Sequence, residues 1–314
     1  MIKKILGALA ILLAAVWIYV AYARKNLILP KEVVKARHAP ADAKYLQWNG
    51  CELLYTDNGS GMPVVMIHGF GGSNYDFAVL DTLVRNAGYR VIRLDLPGFG
   101  LSDYPNTPEA KTDLLKTYND YFNFIIDTLH LDSMYVMGNS MGGMMAWNLT
   151  VEHPDKVRKL VLFNSAGYDM EEVQKTAKVD VFRNDIVKVI LKRGLPLFMT
   201  QRGIKGVFYS QELITPERVE RVNDLWNREG NLMHLVEMVS SDQVLDEAKI
   251  KTITCPTLIF WGKQDKVVEP KYAERFHQDI ANSEMVMYDS CGHVPMMERP
   301  LDVRDRVLTF FSKN

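Results

Sequence analysis

A serine hydroxyl is a poor nucleophile until a base takes its proton and a third group orients that base. Three short stretches of this chain carry side chains of those types. Met137-Gly138-Asn139-Ser140-Met141-Gly142-Gly143 follows an apolar run (Tyr135, Val136, Met137) and precedes a helix-compatible run from Met144 to Leu149. Gly-x-Ser-x-Gly between a strand and a helix predicts a nucleophile elbow, a strained turn that lifts the Ser140 hydroxyl clear of the backbone. Glycines stand two residues to either side because side chains there would collide with the neighbouring strand and helix. The base candidate is His293, in Ser290-Cys291-Gly292-His293-Val294-Pro295, a Gly-bounded loop just past an expected strand. The orienting acid candidate is Asp265, in Trp261-Gly262-Lys263-Gln264-Asp265, directly after the preceding strand. Together they would perform nucleophilic acyl transfer.

Charge that develops on a carbonyl oxygen during such an attack must meet preorganised donors. His68-Gly69-Phe70-Gly71-Gly72-Ser73 follows the apolar run Pro63–Ile67, and its glycines let backbone N–H groups turn inward. The two expected donors are the main-chain N–H groups of Phe70 and of Met141, the residue after the nucleophile. The loop lacks GxxxxGK[ST], so it does not read as a phosphate cradle. His68 is expected to shape this turn rather than move protons. Asp169 is the runner-up acid, and Asp289 lies too near His293 in sequence. His38, His130, His234 and His277 read as surface or structural, and His153 as a helix end. Asp95 to Asp103 (DLPGFGLSD) reads as a structural turn beside the site, with Asp95 bonding backbone.

The positioning elements follow from hydrophobic patterning. Tyr45–Trp48 and Glu52–Tyr55 flank Asn49-Gly50, a strong two-residue hairpin signal. Short continuous apolar runs at Pro63–Ile67, Tyr89–Leu94, Ser133–Met137, Lys159–Phe163, Thr257–Trp261 and Glu284–Tyr288 suit strands buried on both faces of a parallel sheet. Helical patterns at Phe77–Asn86, Lys111–Leu129 and Met141–His153 separate several of them. The alternation predicts an α/β fold with a mostly parallel central sheet and helices on both faces. About ninety residues separate Phe163 from Thr257, far more than one crossover needs. Thr215-Pro216-Glu217 is a helix start, and Val222, Leu225, Trp226 and Leu232, Leu235, Val236, Val239 have helical spacing. Residues 168–250 are therefore expected to form an inserted helical cap over the sheet's C-terminal edge, where ligands of such sheets bind. The core is 44–167 with 251–314.

Residues 1–25 form a separate piece. Ile5 to Ala23 is a nineteen-residue run without a charge, flanked by Lys3-Lys4 and Arg24-Lys25. At full helical length it reaches roughly 28 Å, near the hydrocarbon thickness of a bilayer. With Trp17, Tyr19 and Tyr22 as an interfacial belt, it is expected to be an N-terminal transmembrane helix and membrane anchor. The alternative is a signal cleaved after Ala21-Tyr22-Ala23, leaving a secreted or periplasmic protein. Residues 26–43 read as a charged, Pro-bounded linker. A net charge of −1 on 314 residues gives no reason to expect a nucleic-acid partner. Cys51, Cys255 and Cys291 show neither CxxC nor metal-ligand spacing. Between Ile186 and Ser210, Lys188, Lys192, Arg193, Arg202 and Lys205 interleave with Ile190, Leu191, Leu195, Leu197, Phe198 and Met199, with no acid. That pattern suits a surface resting on anionic lipid, or a basic helix with its apolar side on the core.

With HGFGGS, DLPGFGLSD, GNSMGG, WGKQD and CGHVPMMERP in this order, the chain resembles the α/β-hydrolase superfamily over residues 44–314. More narrowly it resembles membrane-anchored bacterial lipases and monoacylglycerol-lipase-like hydrolases. The resemblance implies hydrolysis of carboxylic esters through an acyl-enzyme, with no cofactor, Ser140, Asp265 and His293 as triad, and Phe70 and Met141 as oxyanion donors. A small-molecule or lipid ester, of acylglycerol type, is the expected substrate. GNSMGG also occurs in carbon–carbon bond hydrolases of aromatic ring cleavage, whose oxyanion loops are usually of HGSGPG type. A carbon–carbon or thioester hydrolase on the same residues is the alternative, and a non-catalytic scaffold a remote one.

Overall fold

The computed structural model describes residues 26–168, 184–241 and 246–313. Eight strands form one sheet: β1 (Lys44–Trp48), β2 (Cys51–Asn58), β3 (Pro63–Ile67), β4 (Arg90–Leu94), β5 (Met134–Asn139), β6 (Val157–Phe163), β7 (Thr257–Gly262) and β8 (Ser283–Tyr288). Their order is β1-β2-β4-β3-β5-β6-β7-β8. β2 pairs antiparallel with β1 and β4, and every pairing from β4 to β8 is parallel. Asn49 and Gly50 both take positive φ (49° and 75°), as a two-residue hairpin turn between right-twisted strands requires.

The helices are α1 (Lys31–His38), α2 (Ala78–Arg85), α3 (Pro108–Thr112), α4 (Leu114–Thr128), α5 (Met141–Glu152), α6 (Asp185–Leu191), α7 (Leu197–Lys205), α8 (Pro216–Trp226), α9 (Asn231–Val239), α10 (Lys271–Asp279), α11 (Pro295–Glu298) and α12 (Pro300–Ser312). The strands are apolar on both sides because both sides are covered. Val65, Ile67, Ile259 and Trp261 enter a core shared with α4, α5 and α10. Val64, Met66, Leu258 and Phe260 enter a second core shared with α2 and α12.

Three local differences from the sequence reading have physical causes. The single helix expected over Lys111–Leu129 is two: Thr107 caps α3, with Pro108 at its first position, and Asp113 caps α4 through its side chain. β5 runs on to Asn139, so the elbow sits directly on the strand end. Residues 26–43, expected as a plain linker, contain α1 and are knitted into the fold. Leu27 N–H donates to Arg193 O at 2.7 Å and Leu29 N–H to Asn227 O at 2.8 Å, while Val34 is buried with Leu54, Leu101 and Leu225. Arg37 and His38 both reach Asp224 on α8. The expected span Ile5–Ala23 lies outside the described residues; among these, no helix is long and apolar enough to cross a membrane.

The described residues between β6 and β7 include α6 to α9, which pack on loops at the C-terminal edge of the sheet. His234 on α9 is a main point of contact. Its ring stacks on Tyr104 at 3.9 Å and meets Phe99 edge-on. It lies so close to Gly98 (φ 82°) that a Cβ there would come within 2.1 Å of Cδ2. Tyr118 Oη shares a hydrogen bond with Nε2, while Nδ1 is buried without a hydrogen-bond partner among the described residues. Burial pushes the His234 value down to about 3. The folded state therefore holds this imidazole neutral, whereas the unfolded chain protonates it near pH 6.5. The unfolded state binds more protons between those values, so stability is fully present above pH 6.5 and falls as pH drops toward 3. Urea unfolding from pH 7.5 to 4.5 is expected to show this loss, flattened in His234→Gln; an equal slope in both proteins would refute the assignment.

Candidate active site

The elbow is built by close approach. Ser140 has φ 55° and ψ −118°, a strained combination for a residue with a side chain. Its N–H donates to Phe163 O, and its carbonyl accepts from Met144 and Ala166. A Cβ at Gly138 would lie 2.1 Å from Gly142 O, and one at Gly142 would lie 2.2 Å from Ile67 O. Both glycines are therefore dictated by the contact of β5, α5 and the end of β3.

The loop after β3 lies against this turn. Gly69 sits where a Cβ would be 3.2 Å from the Ser140 Cβ, and Gly71 takes φ 68°. His68 is buried; its Nε2 accepts from Leu96 N–H at 3.0 Å, which leaves Nδ1 to donate to Gly69 O at 2.7 Å. With both nitrogens committed to backbone, this ring shapes the loop. Asp95 braces the same region: its carboxylate accepts from Asn74 N–H, Asn74 Nδ2 and Leu101 N–H, while its carbonyl accepts from Ser102 Oγ. The N–H groups of Phe70 and Met141 have no acceptor among the described residues. Met141 opens α5, where first-turn donors are free by construction.

His293 and Asp265 are brought together. His293 Nδ1 lies 2.8 Å from Asp265 Oδ2, and both side chains are buried. Asp265 Oδ1 also accepts from Val267 and Val268 N–H, and Oδ2 from Asn164 Nδ2 at 2.6 Å. With Asp265 accepting, the proton is assigned to Nδ1 and Nε2 is left as the basic nitrogen. Ser140 and His293 line one cavity of about 270 Å³ with Phe70, Trp226 and Val294. A second cavity, about 260 Å³, is lined by Phe70, Leu114, Tyr118, Met141, Met144, Met145 and Met238. Phe70 faces both. Asp289 stands exposed and paired with Lys263, and Asp169 lies outside the described residues. Burial raises the Cys291 thiol, as befits an inert packing residue.

Several residues that organise the site escaped the sequence reading. Asn164 (φ 44°) bonds both Asp265 and Gly292 O; an Asn directly after a strand, where the chain turns left-handed, was its signal. Asn139 Nδ2 ties Phe163 O to His293 O. Glu298 accepts from Gly292 N–H with one oxygen and from Tyr209 and Ser210 N–H with the other. His293 N–H itself donates to Val207 O. Trp226 Nε1 donates to Gly71 O at 2.6 Å. These partners are distant in sequence, so no local pattern announces them. Asn164→Ala would strip a buried carboxylate and a carbonyl of a shared donor, and is expected to lower the unfolding free energy by about 2 kcal/mol. An unchanged urea midpoint would show that these bonds contribute nothing.

The sequence model of the α/β hydrolase fold family matches residues 62–300. The chain is 29% identical over 269 residues to "Lipase 3" of Moraxella sp. (strain TA144), covering 83% of this chain and 82% of that one. It is 30% identical over 263 residues to a 2-hydroxy-6-oxononadienedioate/2-hydroxy-6-oxononatrienedioate hydrolase of Klebsiella pneumoniae, covering 80% and 87%. Among solved structures, a membrane phospholipase A described as a bacterial virulence factor superposes with a TM-score of 0.71 at 23% identity, over 99% of this chain and 98% of that one. At that identity the likeness speaks for the fold alone. The matched model spans most of the chain, and the protein belongs to the α/β hydrolase fold family and is a hydrolase.

Proposed function

We propose that this hydrolase cleaves carboxylic esters through an acyl-enzyme on Ser140, with lipid esters of acylglycerol type as its substrates. The observation that carries this reading is the adjacency of two spaces: the cavity lined by Ser140 and His293, and a methionine- and leucine-lined cavity that shares Phe70 with it. Methionine walls are apolar and adaptable, which suits an acyl chain. In the first half-reaction Ser140 Oγ attacks the carbonyl carbon as His293 Nε2 takes its proton. The N–H groups of Phe70 and Met141 receive the oxyanion, and Asp265 stabilises the imidazolium. The intermediate collapses, and the alcohol leaves with the proton from His293. Water then attacks the acyl carbon, gives its proton to His293, and the acid departs as Ser140 recovers its hydrogen.

The membrane belongs to this reading too. The apolar run ends at Ala23, and Leu27 is bonded to Arg193 between α6 and α7. Four residues reach at most about 14 Å, so an anchor at Ile5–Ala23 would hold this part of the insertion close to the bilayer. Leu197, Phe198 and Met199 are 51%, 65% and 45% exposed on α7, beside exposed Arg202 and Lys205. α7 also presents Gly203 and Ile204 to the Ser140 cavity. Apolar residues flanked by cations suit insertion into an anionic lipid surface.

A carbon–carbon bond hydrolase is the second reading, favoured by the Klebsiella relative. Rates on neutral esters from acetates to long-chain monoacylglycerols, against a ring-cleavage dienone, separate the two. Ester turnover abolished in Ser140→Ala, with a fall of at least about 10⁴-fold, is expected; brisk dienone cleavage with feeble ester turnover would overturn the ester reading. For the surface, replacing Leu197, Phe198 and Met199 by serine is expected to cut about ten-fold the ratio of turnover on ester embedded in phosphatidylglycerol vesicles to turnover on soluble ester. An unchanged ratio would remove α7 from the membrane.

A further inference from the structure

Burying a guanidinium without a counter-charge is costly, and among the described residues the buried Arg93 and Arg228 avoid it, although the Nε of each has no hydrogen-bond partner there. Arg93 lies 2.8 Å from Asp81 and Arg228 lies 2.7 Å from Asp103. Two arginines on α8 break the pattern. Arg218 and Arg221 line the cavity that also holds Ser140 and His293. Arg218 is half-buried with its guanidinium 5.1 Å from the Phe208 ring, and its Nη1 is closed off without a hydrogen-bond partner among the described residues. Arg221 rests 4.3 Å over the Tyr75 ring. Neither guanidinium makes an ion pair among the described residues. Among the described residues, Asp76 is the one acid on the wall of this cavity, and burial pushes its carboxyl up. Even ionised it would offset one of two positive charges. Burial, and after it the nearby charge of Arg221, push Arg218 down. The Ser140 cavity thus carries more positive than negative charge on its described wall, and neither arginine lines the methionine-lined space.

We propose that Arg218 and Arg221 form an anion-recognition subsite for the alcohol portion of the substrate, so that the preferred esters carry a phosphate or carboxylate on that portion. This rests on the ester reading above: with the acyl chain in the methionine-lined cavity, the alcohol falls toward α8. Guanidinium groups present paired N–H donors that match both oxyanion types. The aromatic rings of Tyr75 and Phe208 hold the two planes in place, which limits the entropy lost on binding.

The test compares three octanoyl esters with the full-length protein: 1-octanoylglycerol (neutral), 1-octanoylglycerol 3-phosphate and the octanoyl ester of glyceric acid. Wild-type kcat/KM on one anionic ester is expected to exceed that on the neutral one by about ten-fold or more. The more favoured anion identifies phosphate or carboxylate as the natural group. In the double variant Arg218→Met, Arg221→Met this ratio is expected to fall to about one, and Arg218→Lys, Arg221→Lys is expected to restore part of it. Binding of 1-octanoylglycerol 3-phosphate to Ser140→Ala by calorimetry gives a readout independent of turnover, expected to weaken at least ten-fold when both arginines are replaced. A wild-type ratio of one or below, or binding indifferent to the arginines, overturns the subsite. Charge-dependent binding with no ester cleaved overturns the ester reading and leaves the subsite standing.

Discussion

Everything at the candidate site depends on the parallel register of five strands. Ile67 lies beside Gly138, Gly138 beside Leu162, and Phe163 beside Phe260. The chain therefore leaves β3, β5, β6, β7 and β8 at one edge, and the five loops that follow carry Phe70, Ser140, Asn164, Asp265 and His293. A stacked row of Phe163, Phe260 and Tyr288, at 5.0 Å and 5.9 Å with nearly parallel planes, locks the last three strand ends together. Slippage by one residue would turn each strand's apolar set to the opposite face. The two cores and the site are thus enforced by the same alignment.

On that edge the polar groups are held by buried hydrogen bonds. Asp95, Asn139, Asn164, His68 and Glu298 each tie two or more backbone segments. Each bond adds only about 1 kcal/mol in net terms, yet an unmet buried partner costs more than that. Conformational choice is therefore narrow. The strained φ of Ser140 is held by its neighbours: its N–H is bonded to Phe163 O, and its carbonyl accepts from Met144 and Ala166.

Much of this architecture was readable in the sequence, and the reason is locality. β3 spans the Pro63–Ile67 run because an all-apolar pentapeptide bounded by turn residues has few other places to go. The Asn49-Gly50 turn, the Thr215-Pro216 helix start and the Gly-x-Ser-x-Gly turn depend on neighbours a few positions away. Ser140, Asp265 and His293 stood out through residue type placed just after a strand. Asn164 and Glu298 did not, since the partners that give them their place, Asp265 for one and Tyr209 and Ser210 for the other, lie about ninety or more residues away. α1 was missed for a related reason: its one fully buried residue, Val34, gains meaning only from Leu54, Leu101 and Leu225.

The Glu298 bridge carries a mechanical consequence. One carboxylate grips the backbone of Gly292, beside His293, and the backbone of Tyr209 and Ser210 in the insertion. His293 N–H is bonded to Val207 in that same stretch. The insertion and the imidazole are therefore parts of one lever. Lifting residues 207–210 away from the sheet would break charge-assisted bonds and drag the histidine loop with them, so access to the cavity and alignment of His293, the proposed base, are coupled. Sequence change in that stretch would be felt as altered turnover before it was felt as altered access.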